Sequence, residues 1–492
     1  MQQFRLLTFV VVLGLATCAF AHREPNGMEI STKSPQAHKF FEQGMSKMEM
    51  LHIQDGLDNF RKAVAADPQF ALGHIILSFF AQDPTEQVTE REKALATRQF
   101  AGPEEKLVID WLGNSSQAQW IPAIQAMNEA LQSYPRDKHL AWLAGWWLAL
   151  NQNQSPRAIP LFERVIQIDP NFADAWNEVA YCYAKAGNFE KAFADMKRYT
   201  ELVPHEANPQ DSFAEISRMA GRFDDAITHY RASLKIDPSF HESQLGLGDT
   251  YALMGDEPRA RAEYAIAIGE GTEVQKVVWG LQSAATYLRG SDLVGADKAF
   301  RALAAEAHQK DFGNYEAEAY RSMALYQKDN AAAMALLDKA EAILHEHHNV
   351  PKALLDEELA MVWRTRTERA LAAGDSKLMT STLKHLDEVA AATPDEMIQA
   401  AYHGAAGEVM VSEQKYAEAI SHLEEDETNP LSMRSLIDAY QKSGQKENAQ
   451  RLARKLAEFN FPTIEQALVV PQFRAAYKTS REARAGLANG RL

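Results

Sequence analysis

The chain has 492 residues, 46% of them hydrophobic and 24% charged, with a formal net charge of −16. That acidity argues against a nucleic-acid or anionic-membrane role, because both need a basic face. The balance of apolar and charged residues fits an ordered, soluble chain rather than a disordered one.

In chain order, the first element is MQQFRLLTFVVVLGLATCAFA. Arg5 precedes an apolar run from Leu6 to Leu15, and Ala19-Phe20-Ala21 ends it as a small-x-small cleavage pattern. Residues 1–21 therefore read as a secretory signal peptide, with a mature start at His22 and a periplasmic or secreted destination. An uncleaved anchor and lipidation at Cys18 stand as alternatives. No later stretch reaches membrane length. With cleavage after Ala21, Cys182 is the sole cysteine left, so no internal disulfide forms. Between Tyr181 and Tyr183 it reads as a small packed residue.

Residues 22–36 read as a linker, and helical repeats follow. Ala37–Pro68 carries Phe40, Gly44, Phe60, Ala63 and Pro68; His139–Pro170 carries Gly145, Ala158, Phe162 and Pro170, with a longer turn at NQNQSP. From there the period is explicit. Gly187, Gly221 and Gly255 are 34 residues apart, as are Ala192, Ala226 and Ala260, and Pro170, Pro204 and Pro238. Ala180, Ala214 and Gly248 keep the same interval, as do Met196, Tyr230 and Tyr264. A period of this length marks a stacked helix-turn-helix unit. Within one unit, Trp176, Val179, Ala180 and Tyr183 form one helical stripe, and Gly187 stops that helix in a left-handed cap. Phe189, Ala192, Phe193, Met196 and Tyr199 form the stripe of a second helix, which Pro204 ends. Ala180 and Ala192 sit where the helices cross. Neither helix buries its stripe alone; the next repeat completes the core.

Further on, Val277–Lys310 fits through Ala284, Tyr287, Ala296 and Phe300. Segments 314–347 and 353–390 keep helical periodicity with weak motif residues. Gly407, Ala419 and Leu423, then Tyr440, Gly444 and Ala449, give two more units. The divisions are a 37–272 array, degenerate repeats over 273–400, a pair over 401–460, and a capping helix and tail over 461–492. Length alone suggests three globular domains; continuous repeats predict one elongated solenoid, bent near 272–276 or 310–313.

Trp176, Ala180, Tyr183, Ala192 and Pro204 closely resemble the characteristic residues of the tetratricopeptide (TPR) repeat. The resemblance implies an all-α, right-handed superhelical solenoid of stacked TPR hairpins. A weaker resemblance, over Gly102–Pro135, is to bacterial TPR sensor regions; it implies a bacterial origin, without a kinase or DNA-binding motif in this chain.

Motifs that carry chemistry are scarce. There is no Gly-rich phosphate loop, Cys-x-x-Cys, His-Glu-x-x-His or Gly-x-Ser-x-Gly, so no cofactor, metal or catalytic residue is expected. His345 and His348 stand at i, i+3, but the cluster reads as a solvated helix end before Pro351. Glu424-Glu425-Asp426-Glu427 reads as a solvated face and turn. Asp356-Glu357-Glu358 are adjacent on a helix and point in different directions, a poor arrangement for acid–base work.

The TPR resemblance implies a concave groove lined by first helices. Its groove-facing positions are Trp142, Trp146, Asn177, Tyr181, Lys185, Asp211, Glu215, Arg218 and Asp249. Aromatics beside mixed charges suit an extended peptide or helix, although the tryptophans equally suit packing between repeats. The lysine and asparagine set by which some TPR domains clamp a C-terminal carboxylate is not reproduced. The expected function is an exported, non-enzymatic scaffold for a protein or peptide partner. Two alternatives stay open: an accessory of an envelope secretion or polysaccharide machine that binds glycan or polymer, and an enzyme with a site in 314–390.

Overall fold

The structure, a computed structural model, describes residues 28–488. The signal peptide, the His22 start and Cys18 lie outside the described residues. No described helix is long and apolar enough to cross a membrane.

The fold is an all-α solenoid. Between residues 35 and 457, twenty-four α-helices pair into twelve antiparallel hairpins, numbered in chain order from starts at residues 35, 71, 103, 138, 173, 208, 241, 273, 313, 352, 396 and 430, and one more helix, Ile464–Ala488, follows. Three local devices repeat. Gly187, Gly221 and Gly255 end first helices at φ of 78°, 73° and 83°, where a Cβ is strained. Asn188 and Asp256 then cap second helices, their side chains accepting from the Lys191 and Arg259 backbone N–H groups. At the crossings, Ala180, Ala192, Ala214, Ala226 and Ala260 are fully buried. Gly248 meets Tyr264 so closely that a Cβ would stand 2.8 Å from the ring. Ala226→Trp is therefore expected to lower the melting temperature clearly, since overpacking a core costs about 1–3 kcal/mol. A variant that melts like the parent would place Ala226 off the crossing.

The weak motif of 273–400 has a geometric cause. First helices of hairpins five to eight begin at 173, 208, 241 and 273. Those of hairpins nine to eleven begin at 313, 352 and 396, spacings of 40, 39 and 44 residues. The helix Lys352–Ala372 has 21 residues against 13 for Ala173–Lys185. Longer helices stretch the period while the stacking continues, and the predicted bends at 272–276 and 310–313 are ordinary hairpin connections.

The largest departure from an open groove is that the solenoid closes on itself, joining units five to seven hairpins apart. The Ala353 N–H of hairpin ten donates to the Ser116 carbonyl at the end of the first helix of hairpin three, at 3.2 Å. Lys185 and Gly187 of hairpin five share a cleft with Tyr440, Arg451 and Lys455 of hairpin twelve. Hairpin six meets the segment after hairpin twelve: Asn460 Nδ2 donates to the Met219 carbonyl at 3.4 Å. The last helix then crosses the first helices of hairpins seven and eight. Arg474 Nη1 donates to the Leu253 carbonyl at 3.1 Å, and Arg289 Nε donates to Gln466 Oε1 at 2.8 Å.

The N-terminal side is tied down as well. Within the predicted linker, the Met28 N–H donates to Asp137 at 2.8 Å, the Ser31 N–H to Glu105 at 2.8 Å, and Thr32 Oγ1 to Asp67 at 2.6 Å. These contacts pin residues 28–32 across hairpins one, three and four.

Candidate functional site

The first helices of hairpins four to seven carry the nine residues of the expected groove, and the structure sorts them into three groups. The first gathers around Asp174. Trp142 is fully buried, with ring centroids 6.0 Å from both Phe80 and Phe172. Its Nε1–H donates to Asp174 Oδ2 at 2.6 Å, and Trp146 Nε1–H donates to the same oxygen at 3.2 Å. Asn177, also buried, donates Nδ2 to Asp174 and Glu178. Trp142 and Asn177 therefore do not face an open groove. Repeat stacking places the Trp142 ring between the Phe80 and Phe172 rings. Trp146 stays partly exposed, 5.7 Å from Phe80.

The second group is a polar chain across three successive repeats. Tyr181 O–H donates to Glu215 Oε2 at 3.0 Å; Arg218 Nη2 donates to Glu215 Oε1 at 2.7 Å; Arg218 Nη1 lies 3.7 Å from Asp249 Oδ2; Tyr264 O–H donates to Asp249 at 2.6 Å. Asp211 accepts from Ser243 Oγ at 2.6 Å. Only Tyr181 and Glu215 keep partial exposure. Arg218, Asp211 and Asp249 are buried, and Arg218 reaches the Asn460 carbonyl of the chain's own C-terminal segment at 3.5 Å. The inner surface at hairpin six is thus filled by the chain itself. Lys185, the third group, is exposed and faces hairpin twelve.

Asp174 and Glu178, the hub of the first group, were absent from the expected set. A signal existed: Asp174, Asn208 and Glu242 recur 34 residues apart, two positions before the Trp176 register. Asn460, Gln466 and Arg474 had no such signal, because they act across five to seven hairpins.

Burial sets the electrostatics. It pushes the Asp174 carboxyl up to about 7 against the pull of Trp142, Trp146 and Asn177. It raises Asp211 to about 8, with Ser243 opposing. In the region expected to hold an alternative enzymatic site, burial raises Glu318 to about 7, while Arg321 Nε donates to Glu358 at 2.6 Å. Glu357 rises to about 9 through burial and the facing Asp395. Asp356, Glu357 and Glu358 do point apart, to Lys352, Asp395 and Arg321. Burial also pushes the Cys182 thiol up to about 12, as befits a packed residue. Among the described residues no group of three or more His, Cys, Asp or Glu side chains is placed to hold a metal ion; His345 lies 3.8 Å from Glu341 and His347 3.6 Å from Asp311.

These raised carboxyls have a stability consequence. An acid whose folded pKa lies above its unfolded value contributes stability below the unfolded value and loses it as pH rises through the folded one. Asp174, Asp211, Glu318 and Glu357 therefore predict a melting temperature that falls from about pH 4, the unfolded carboxyl range, to about pH 9, the folded value of Glu357. Asp169 and Glu90, held below the ordinary range, act oppositely and lose stability only in stronger acid. Asp211→Asn with Glu357→Gln should flatten the slope; a melting temperature that rises steadily to pH 8.5 would contradict the buried neutral forms.

Hairpins stacked through their first helices define a helical-repeat protein. More particularly, tetratricopeptide repeat families match residues 147–220 and 219–273, the stretch that carries most of the polar chain. Superkiller complex protein 3 of Mus musculus is 24% identical over 115 residues, 23% of this chain and 7% of that protein. The anaphase-promoting complex subunit CDC16 of Saccharomyces cerevisiae is 29% identical over 126 residues, 25% of this chain and 15% of that protein. The chain thus spans only a small part of these curated relatives. Yeast Tom70 is similar in structure with a TM-score of 0.43 and 14% identity, over 85% of this chain and 98% of that one.

Proposed function

We propose that the chain is an exported bacterial scaffold that holds a protein partner on its tetratricopeptide repeats and performs no chemistry of its own. The observation that carries this reading is the side-chain chain Tyr181–Glu215–Arg218–Asp249, a largely buried network that links three repeats and holds the partly exposed Tyr181 and Glu215 in place at the surface. Such a surface offers an aromatic face and a carboxylate already held in place, so a partner loses little of its binding energy to ordering the site. Arg5, the apolar run to Leu15 and Ala19-Phe20-Ala21 support export.

Two measurements test it. Envelope extract passed over the immobilised chain should yield one partner whose recovery drops sharply with Tyr181→Ala plus Glu215→Gln, in which the glutamine oxygen still offers buried Arg218 an acceptor. Equal recovery would remove the inner surface from the reading. N-terminal sequencing of protein from its native host should begin at His22; a start at Met1 would refute export, and an acylated Cys18 would favour a lipoprotein.

A further inference from the structure

The self-closing seam leaves one long hollow uncovered, between hairpins two to four on one side and hairpins ten to twelve on the other. Two adjoining cavities form it, of ≈ 320 and ≈ 590 Å³, and Asn153 and Met397 belong to both. One lip is the irregular turn between the helices of hairpin four. There Trp147–Asn151 forms a single π-helical turn, and Asn153 sits at φ 49°. This NQNQSP stretch had looked like a mere lengthening of the period. It carries Leu150 out to 52% exposure. The facing wall carries Met397 at 39% exposure, with Leu354 and Met361 beside it. Exposed apolar side chains lining a hollow between polar rims mark a recognition surface more than chance exposure does.

The rim is predominantly acidic. Glu396, Glu424, Glu425 and Glu427 line the larger cavity, and Arg157 is the one exposed cation among its lining residues. The acidic run 424–427 is therefore not simply a solvated turn. Asp426 is buried and paired with Arg364 at 2.7 Å, which fixes the turn. Glu424 accepts from Tyr440 O–H, and Lys455 lies 2.8 Å from Glu427. Among the described residues Glu425 makes no ion pair, and it adds to the negative field at Glu396.

We propose that this hollow binds a cationic amphipathic helix of a protein partner. The charge balance of the rim selects basic residues, and the floor of Leu150, Met361 and Met397 accepts an apolar face. Methionine adapts its shape to such a face. A helix laid in such a hollow turns its apolar stripe to this floor and its basic flanks to the acidic rim. The proposal rests on the scaffold reading above but moves the contact from the inner surface to the seam.

The test uses the full chain and a fluorescent synthetic helix of Leu and Lys at helical spacing, with a Leu and Glu helix of the same pattern as control. The Leu/Lys helix should bind saturably and the Leu/Glu helix should not. Glu424→Gln with Glu425→Gln, and separately Leu150→Ala with Met397→Ala, should each weaken binding about tenfold, as expected for anchor and rim groups together. All four residues are exposed, so melting should hardly change. Glu129→Gln with Glu190→Gln makes the same charge change on another surface and should have no effect. Absence of Leu/Lys binding, or equal loss in the seam and control variants, would overturn the proposal. Binding lost through Tyr181→Ala with Glu215→Gln but kept in both seam variants would also overturn it while leaving the inner-surface scaffold standing.

Discussion

Trp142→Ala is expected to destabilise the chain by roughly 3–5 kcal/mol, as large aromatic truncations in packed cores do. The ring is fully buried between Phe80 and Phe172 and joins hairpins two, four and five. Its removal leaves a void that the surrounding repeats cannot collapse into, because each is held by its own neighbours. It also removes the shortest hydrogen bond to Asp174 Oδ2. Since burial raises that carboxyl to about 7, the loss should be larger above pH 7, where the charge appears without its best donor. Trp146→Ala should cost much less, because that ring is partly exposed and its bond is longer. Denaturant midpoints at two pH values check this. A Trp142→Ala midpoint equal to that of Trp146→Ala would mean the stacked ring is not the joint between these hairpins.

Asp426→Ala should cost a similar amount, roughly 3–5 kcal/mol, for a different reason. Arg364 is 2% exposed and Asp426 4%, and their atoms stand 2.7 Å apart. Removing the carboxylate leaves a buried guanidinium with Ser432 and the more exposed Glu368. The pair itself has little net worth against apolar groups of the same volume. The double variant Arg364→Met, Asp426→Leu should therefore recover much of the lost stability. A double variant worse than the single would show that the pair is a net stabilising contact. In either case the turn 424–427 should loosen in the single variant, and hydrogen exchange of its amides reports that directly.

The repeats were legible because their causes are local. Gly187 needs only its own φ to end a helix, Ala192 only its facing Ala180, and Pro204 only its missing N–H. Each cause recurs at a fixed interval, so Ala214, Tyr230 and Gly248 could be placed without coordinates. The same logic faded over 313–391, where helices of up to 21 residues stretched the interval beyond 34. The groove positions were half legible. The register put Tyr181, Glu215, Arg218 and Asp249 on one face, and they do form one chain of contacts. It could not tell that Trp142 turns into the core, since a helix stripe and its flank differ by a single residue step.

By itself the sequence determined the class: helical hairpins, their order, their stacking, and the acidic character of the surface. Each follows from spacings within about one repeat. What the tertiary structure alone decided is where the surface remains open. Small rotations between successive hairpins add up along the array, and no single repeat encodes their sum. After six or seven hairpins that sum brings Ser116 to Ala353, Met219 to Asn460 and Leu253 to Arg474. It fills the inner surface at Arg218 and leaves the hollow beside Leu150 and Met397 uncovered.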